Sequence, residues 1–204
     1  MENMEKFWKM YQTLYEMLKD RGYDQVVSGT KITDKEDLYR DYVVNGEVID
    51  KASLNFVCQH QLHQGLLTVN FLSDPSIGVK QITKVYEKMI TGKIPHCIFI
   101  YPNILTPSAK RDLEKIQKVV MEYFSEDELQ MNITKHQFMP KYEVLNEEDK
   151  KSFLVTLKVQ DHQLPRISVT DPAAKYYGMR RGDIVRIIRK SETAGHAVMY
   201  RICN

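Results

Sequence analysis

The sequence predicts an α+β protein in two parts: an N-terminal sheet covered by helices, then a smaller mixed α+β module. Three observations lead there. Apolar residues recur at helical spacing near the N-terminus, β-rich runs then alternate with helix-start signals, and a fresh series of caps and strands begins beyond Pro140. Phe7, Tyr11, Leu14 and Leu18, with Trp8 and Tyr15 beside them and Gly22 as a C-cap, predict an amphipathic helix from about Glu5 to Arg21. Thr33 and Glu36 have capping-box spacing ahead of a short helix through Leu38 and Tyr42. The runs Leu54–Gln59 and Leu66–Leu72 read as strands, Val79 to Ile90 as a helix followed by Gly92, and Cys97–Tyr101 as a compact apolar strand. Thr106-Pro107 opens a long helix, because Pro loses no partner at the first helical position; Leu113, Ile116, Gln117 and Val120 continue its pattern.

A boundary is expected between Leu129 and Pro140, where a short strand, Leu129–Ile133, gives way to a new start; the two parts are then 1–132 and 133–204. Beyond it, Asn146 caps an acidic first turn (Glu147, Glu148, Asp149) of a helix reaching about Leu157. Asp171-Pro172 starts a shorter helix ended by Gly178. Arg181-Gly182-Asp183 is a turn into the strand Ile184–Ile188, and after a loop from Ser191 to Gly195, Ala197–Ile202 returns as its partner.

The 204 residues are 43% hydrophobic and 27% charged, the balance of a soluble globular protein rather than a disordered tail. No apolar run approaches the ~20 residues of a membrane span, and Met1 to Lys9 lacks the apolar stretch of a signal peptide, so an intracellular protein with no membrane partner is expected. The net charge of +2 conceals an asymmetry: nine basic residues stand against four acidic from Lys158 to Asn204, which fits a nucleic-acid or acidic-protein partner and also a solvated surface, the commoner case.

Candidate chemistry is sparse. Cys58, Cys97 and Cys203 are odd in number and widely spaced, and read as buried reduced thiols. Cys58, His60, His63, His96 and Cys97 are metal-ligand types, but their spacings suit conflicting geometries and complete no tetrahedral set. Glu148-Asp149-Lys150 has the carboxylate-x-lysine spacing of metal-dependent nucleases, yet falls in the first turn of an exposed helix, where acidic residues favour the dipole. No catalytic residue, metal or cofactor is expected. Thr106-Pro107-Ser108-Ala109-Lys110-Arg111 is different: a helix N-terminus with hydroxyls at Thr106 and Ser108 suits a phosphate oxygen.

From Gln163 onward the chain reads Q-L-P-R-I-S-V-T-D-P-A-A-K-Y-Y-G-M-R-R-G-D-I-V-R-I-I-R-K-S-E-T-A-G. This long, irregular run resembles the signature of the fifth subunit shared by the eukaryotic nuclear RNA polymerases, whose archaeal counterpart has only the second of the two modules. Asp20-Arg21-Gly22-Tyr23, Gly78-Val79-Lys80, Thr106-Pro107-Ser108-Ala109-Lys110 and Asn132-Ile133-Thr134-Lys135-His136 extend the resemblance over nearly the whole chain. Residues 23–65 match poorly; Lys190 stands where cellular members usually have proline, and His196 where they usually have arginine.

The resemblance implies a non-catalytic polymerase subunit, with a jaw domain (1–132) near downstream DNA and an assembly domain (133–204) on the largest subunit. It places Thr106, Pro107, Ser108, Ala109, Lys110 and Arg111 beside duplex DNA held without sequence preference. Arg166, Asp171, Pro172, Tyr176, Tyr177, Arg180, Arg181, Arg189, Ser191 and Glu192 become the expected partner-binding residues. It implies a nuclear location, or a virion or viral replication compartment for a virus-encoded version. A nuclease and a free-standing basic DNA-binding protein are the rival classes, and neither accounts for the C-terminal run.

Overall fold

A computed structural model describes residues 2–29, 32, 34–44, 47–48, 51–62, 64–74, 76–116, 118–191 and 195–204, which divide between two units, Met1–Met131 and Asn132–Asn204. The first unit begins with α1 (Glu2–Asp20). Its buried face, Met4, Phe7, Met10, Tyr11, Leu14, Met17 and Leu18, follows the 3.6-residue period. The helix ends at Gly22, whose φ of +84° suits glycine. The Gly22 amide bonds the Lys19 carbonyl at 2.9 Å and the Tyr23 amide bonds that of Leu18 at 2.8 Å, the paired pattern of a Schellman stop.

There follow β1 (Gln25–Ser28), α2 (Lys35–Tyr42), β2 (Val43–Val44) paired antiparallel with β3 (Glu47–Val48), then β4 (Phe56–Gln59) and β5 (Leu66–Phe71). β6 (Ser76–Ile77) leads into α3 (Val79–Gly92), β7 (His96–Tyr101), β8 (Ile104–Leu105), α4 (Pro107–Lys115) and β9 (Val120–Ser125). The main sheet has the order β1-β4-β5-β7-β9. β1, β4 and β5 pair antiparallel, whereas β5, β7 and β9 are parallel and joined through α3 and α4. Every residue of β7 is buried, as a parallel strand covered on both faces should be.

The two faces have different covers. Phe56, Phe71 and their in-register neighbours receive α1, with Tyr11 ringed by Phe56 and Phe71 at centroid distances of 6.2 and 6.4 Å. Phe99, Tyr101, Met121 and Tyr123 meet Ile82 of α3 and Ala109 and Leu113 of α4. Glu122 alternates with Met121 and Tyr123 and so belongs to the face of Ile98, its register partner, on the α1 side. There it meets Arg21: Nη1 donates to Oε1 at 3.0 Å and Nη2 to Oε2 at 2.8 Å, while His96 Nε2 donates to Oε1 at 2.6 Å. Burial pushes the Glu122 carboxyl up, but the charge of Arg21 and the hydrogen bonds from His96 and Arg21 outweigh it and hold the pKa at about 2.

The second unit is a four-stranded sheet of order β10-β12-β13-β11, where β10 is Lys141–Val144, β11 Arg166–Ile167, β12 Ile184–Ser191 and β13 Gly195–Cys203. β12 and β13 form an antiparallel hairpin without a bulge from Ile184↔Ile202 to Ser191↔Gly195. On one face Val185, Ile187 and Cys203 pack with Ile167, Ala174 and Met179 around α6 (Pro172–Tyr176). On the other, Phe153 of α5 (Glu147–Leu157) lies 4.1 Å from the ring of Tyr200.

Several expectations change. α4 stops at Ile116, whose φ of −76° and ψ of 113° are extended, so Val120 opens a strand instead of continuing the helix. The helical spacing of Leu113, Ile116 and Val120 loses to the open edge of β7, which pairs with residues 120–125. Residues Leu129 to Ile133 form no strand. Asn132 Oδ1 takes the Thr134 amide at 2.9 Å and starts a 3-10 turn, Ile133–Lys135, by local competition for the backbone. β1, β10 and β11 are short strands absent from the sequence reading, and Thr33 of the expected capping box lies outside the described residues.

Arg21 is only 5% exposed and Glu122 18%, so removing one partner strands a buried charge. Glu122→Ala should lower unfolding free energy by about 3–5 kcal/mol, read from urea midpoints. Because the carboxyl sits near 2 when folded and near 4.5 when free, its stabilisation is complete above pH 4.5 and lost as pH falls toward 2. That is a loss on the order of 3 kcal/mol. Glu122→Gln should flatten the pH dependence within that window; an unchanged slope would contradict the assignment.

Candidate nucleic-acid and partner interfaces

Two helices of the first unit start side by side. β6 and β8 pair in parallel, Ser76 with Ile104 and Ile77 with Leu105, and the next residue on each strand, Gly78 and Thr106, is a helix N-cap. The Thr106 amide reaches the Ile77 carbonyl at 3.1 Å, which ties the two starts together. Parallel helix dipoles thus present their positive ends next to one another. Around them stand exposed Ser76, Val79, Lys80, Pro107, Ser108, Lys110 and Arg111.

The six residues singled out at α4 divide by physical role. Thr106 Oγ1 accepts the Ala109 amide at 3.3 Å, so this hydroxyl is committed to capping. The Ala109 side chain is fully buried in the core under α4. Pro107 has no amide and the Lys110 amide bonds the Thr106 carbonyl at 3.0 Å, leaving the Ser108 amide as the first-turn donor facing outward. Ser108, Lys110 and Arg111 are the groups with reach to an anion. The neighbouring start of α3 was not singled out as a site from sequence; its only signal is Gly78 before a helical run.

In the second unit, much of the C-terminal run answers to the fold. Asp171 caps α6, accepting the Ala173 amide at 2.9 Å, and Pro172 takes the first helical position. Tyr176 is buried, its hydroxyl accepting from Asn132 Nδ2 at 3.3 Å, while half-buried Tyr177 stacks on Tyr142 at 5.9 Å. Gly178 (φ +64°) follows α6. Gly182 (φ +93°) occupies the third position of the turn closed by the Asp183 amide on the Arg180 carbonyl at 3.0 Å, where positive φ favours glycine. Asp183 in turn accepts the Arg180 amide at 2.7 Å. Arg166, Arg180, Arg181 and Arg189 are all exposed, and their side chains form no ion pair among the described residues. Ser191 ends β12, and Glu192 lies outside the described residues.

Glu148, Asp149 and Lys150 sit in the first turn of α5, which Asn146 caps by accepting the Asp149 amide at 2.7 Å. No group of three or more His, Cys, Asp or Glu residues could hold a metal among the described residues, and none of their helices is long and apolar enough to cross a membrane. His96 belongs to the Arg21–Glu122 cluster, and His60 packs edge-on against Tyr23 at 5.0 Å.

Residues 1–89 match the family described as RNA polymerase Rpb5, N-terminal domain, and residues 131–203 match RNA polymerase Rpb5, C-terminal domain. The chain is 34% identical to the DNA-directed RNA polymerases I, II, and III subunit RPABC1 of Caenorhabditis elegans, over 97% of this chain and 95% of that one. The chain belongs to the Rpb5 family. The corresponding subunit of Dictyostelium discoideum is 33% identical over the full length of both chains, and that of Caenorhabditis briggsae 33% over 97% and 95%. A solved ATP-dependent Type ISP restriction-modification enzyme, LlaBIII bound to DNA, aligns with a TM-score of 0.41 at 13% identity, over 85% of this chain and 12% of its own, a likeness too loose to carry an argument.

Two departures from the Rpb5 pattern noted in the sequence, Lys190 and His196, are direct cross-strand partners in the β12–β13 hairpin. The three cysteines of this Rpb5-family chain are all buried and outside any disulfide. Burial pushes the Cys97 thiol up to about 12, despite a hydrogen bond from Asn70. A thiol needs its thiolate to react, so the native protein should consume almost no aromatic disulfide reagent at pH 8, and three equivalents once denatured. A fast-reacting native thiol would contradict this packing.

Proposed function

We propose that this chain is a non-catalytic subunit of a DNA-dependent RNA polymerase, acting by position rather than by chemistry. In this reading residues 1–132 form a jaw beside downstream DNA, and residues 133–204 an assembly domain docked on the largest subunit. The observation that carries it is the match of both units to one family, with relatives named as shared subunits of RNA polymerases I, II and III aligned over nearly the whole chain. Its place is then the nucleus, or a viral compartment for a virus-encoded copy.

The DNA-facing element is Thr106–Arg111. Ser108 offers an amide and a hydroxyl to a phosphate oxygen, and Lys110 and Arg111 supply charge, with Thr106, Pro107 and Ala109 holding the turn. Lys80, at the neighbouring helix start, extends the same surface. Such contacts read no sequence and are weakened by salt. Weak intrinsic affinity suffices, because attachment to the polymerase sets a high local concentration. Arg166, Arg180, Arg181 and Arg189 are exposed cations able to meet partner carboxylates or carbonyls, and Tyr177 is the more accessible aromatic; Asp171 and Pro172 start α6, and Tyr176 is buried.

A tagged chain purified from its native source should bring the large polymerase subunits with it. Arg181→Glu or Arg189→Glu should reduce that recovery by about tenfold or more, whereas Lys110→Glu should leave recovery unchanged and weaken crosslinking to downstream DNA. Equal recovery of all three variants would overturn the division of labour; absence of polymerase chains would overturn the role itself.

A further inference from the structure

The hairpin of the second unit leaves one strand edge open. β11 covers β13 only at Ile202 and Cys203, yet β13 begins at Gly195. The Ile202 amide points to that side, reaching the Pro165 carbonyl at 2.9 Å, and the Asn204 amide reaches Ile167 at 2.9 Å, whereas the Cys203 amide points into the hairpin, to Asp183 at 2.8 Å. Alternation along an unbulged antiparallel strand then turns the amides and carbonyls of His196, Val198 and Tyr200 outward. None of these backbone groups has a partner among the described residues. The open stretch runs about 13 Å, enough for a strand of four or five residues.

Three other sheet edges, those of β1, β10 and β11, carry devices that discourage pairing. β1 is irregular between Val26 and Ser28, β10 follows Pro140 and opens on Lys141, and β11 is two residues long after Pro165. The outward positions of β13 carry neither proline, lysine nor a bulge, and Val198 is 50% exposed. Arg189 and Lys190, on the paired strand, are exposed with no ion pair among the described residues, and His196 stands opposite Lys190. Arg201, farther along, donates to the Arg166 carbonyl at 3.3 Å.

We propose that β13 accepts an added strand at His196–Tyr200, in line with β11, and that the occupant is an extended acidic segment of the polymerase's largest subunit. The inference rests on the subunit role proposed above and adds the recognition mode. The backbone ladder binds, an apolar side chain of the segment lies beside Val198, and its carboxylates meet Arg189, Lys190 and His196.

Val198→Pro removes an amide that the hairpin itself does not use, so the free protein should keep its melting temperature while recovery of the largest subunit from the native source falls about tenfold or more. Ala197→Pro, which removes a hairpin bond to β12, is the control for damage to the fold. Lys190→Glu should weaken association and Lys190→Arg restore it. In the wild-type assembly, exchange of the His196, Val198 and Tyr200 amides should slow about tenfold or more against the free chain, with Ala197 and Met199 changing less. This measurement decides the matter even if Val198→Pro misfolds. Wild-type recovery with full recovery of Val198→Pro, or exchange that does not slow, overturns strand addition and leaves the subunit role standing. Failure of the wild type to recover polymerase overturns both. A homodimer of the free chain that Val198→Pro dissociates overturns the acidic segment as occupant.

Discussion

The N-terminal unit depends on the guanidinium of Arg21 lying bidentate across the carboxylate of Glu122. α1 buries seven apolar side chains, but such burial is non-directional and leaves the helix free to slide or rotate. The ion pair removes that freedom at the helix end, where the Gly22 stop aims Arg21 back at the sheet. It also sets the register of the edge strand. Glu122 sits between Met121 and Tyr123, which pack under α3 and α4, so a slip of one residue would drive the carboxylate into an apolar layer.

That constraint gives the unit a firm frame on which two helix starts are held. Parallel strands β5, β7 and β9 deliver α3 and α4 in the same direction, and the small β6–β8 pair locks their first residues together. A charged surface there is presented by backbone geometry more than by side-chain choice. In the proposed role this suits a guide for duplex DNA, since phosphate contact asks for fixed donors and charge, with no base-reading element.

The second unit separates demands of folding from demands of recognition. Its caps, its glycines of positive φ and Tyr176 are explained by the small sheet alone. Arg166, Arg180, Arg181 and Arg189 stand exposed outside its core. The hairpin also runs on beyond its neighbours: a two-stranded arm with an unprotected edge is costly for a monomer to display, because it invites pairing with any extended chain. Charge and open backbone together favour a partner met in one orientation.

Local signals made much of this visible from residues alone. The period of Phe7, Tyr11, Leu14 and Leu18, the caps at Thr106, Asn146 and Asp171, and the turn at Gly182 each depend on neighbours within a few positions, so composition and spacing were enough to place α1, the start of α4, α5, α6 and the β12–β13 hairpin. The long C-terminal run defined the family for the same reason, being a contiguous string. Strand β9 was hidden, because Leu113, Ile116 and Val120 fit a helix until the free edge of β7 claims residues 120–125. The meeting of Arg21, His96 and Glu122, the side-by-side starts of α3 and α4, and the open stretch of β13 could not be read in advance. Each joins residues far apart in the chain or depends on where a neighbouring strand happens to end, and long-range pairing leaves no periodic trace in the sequence.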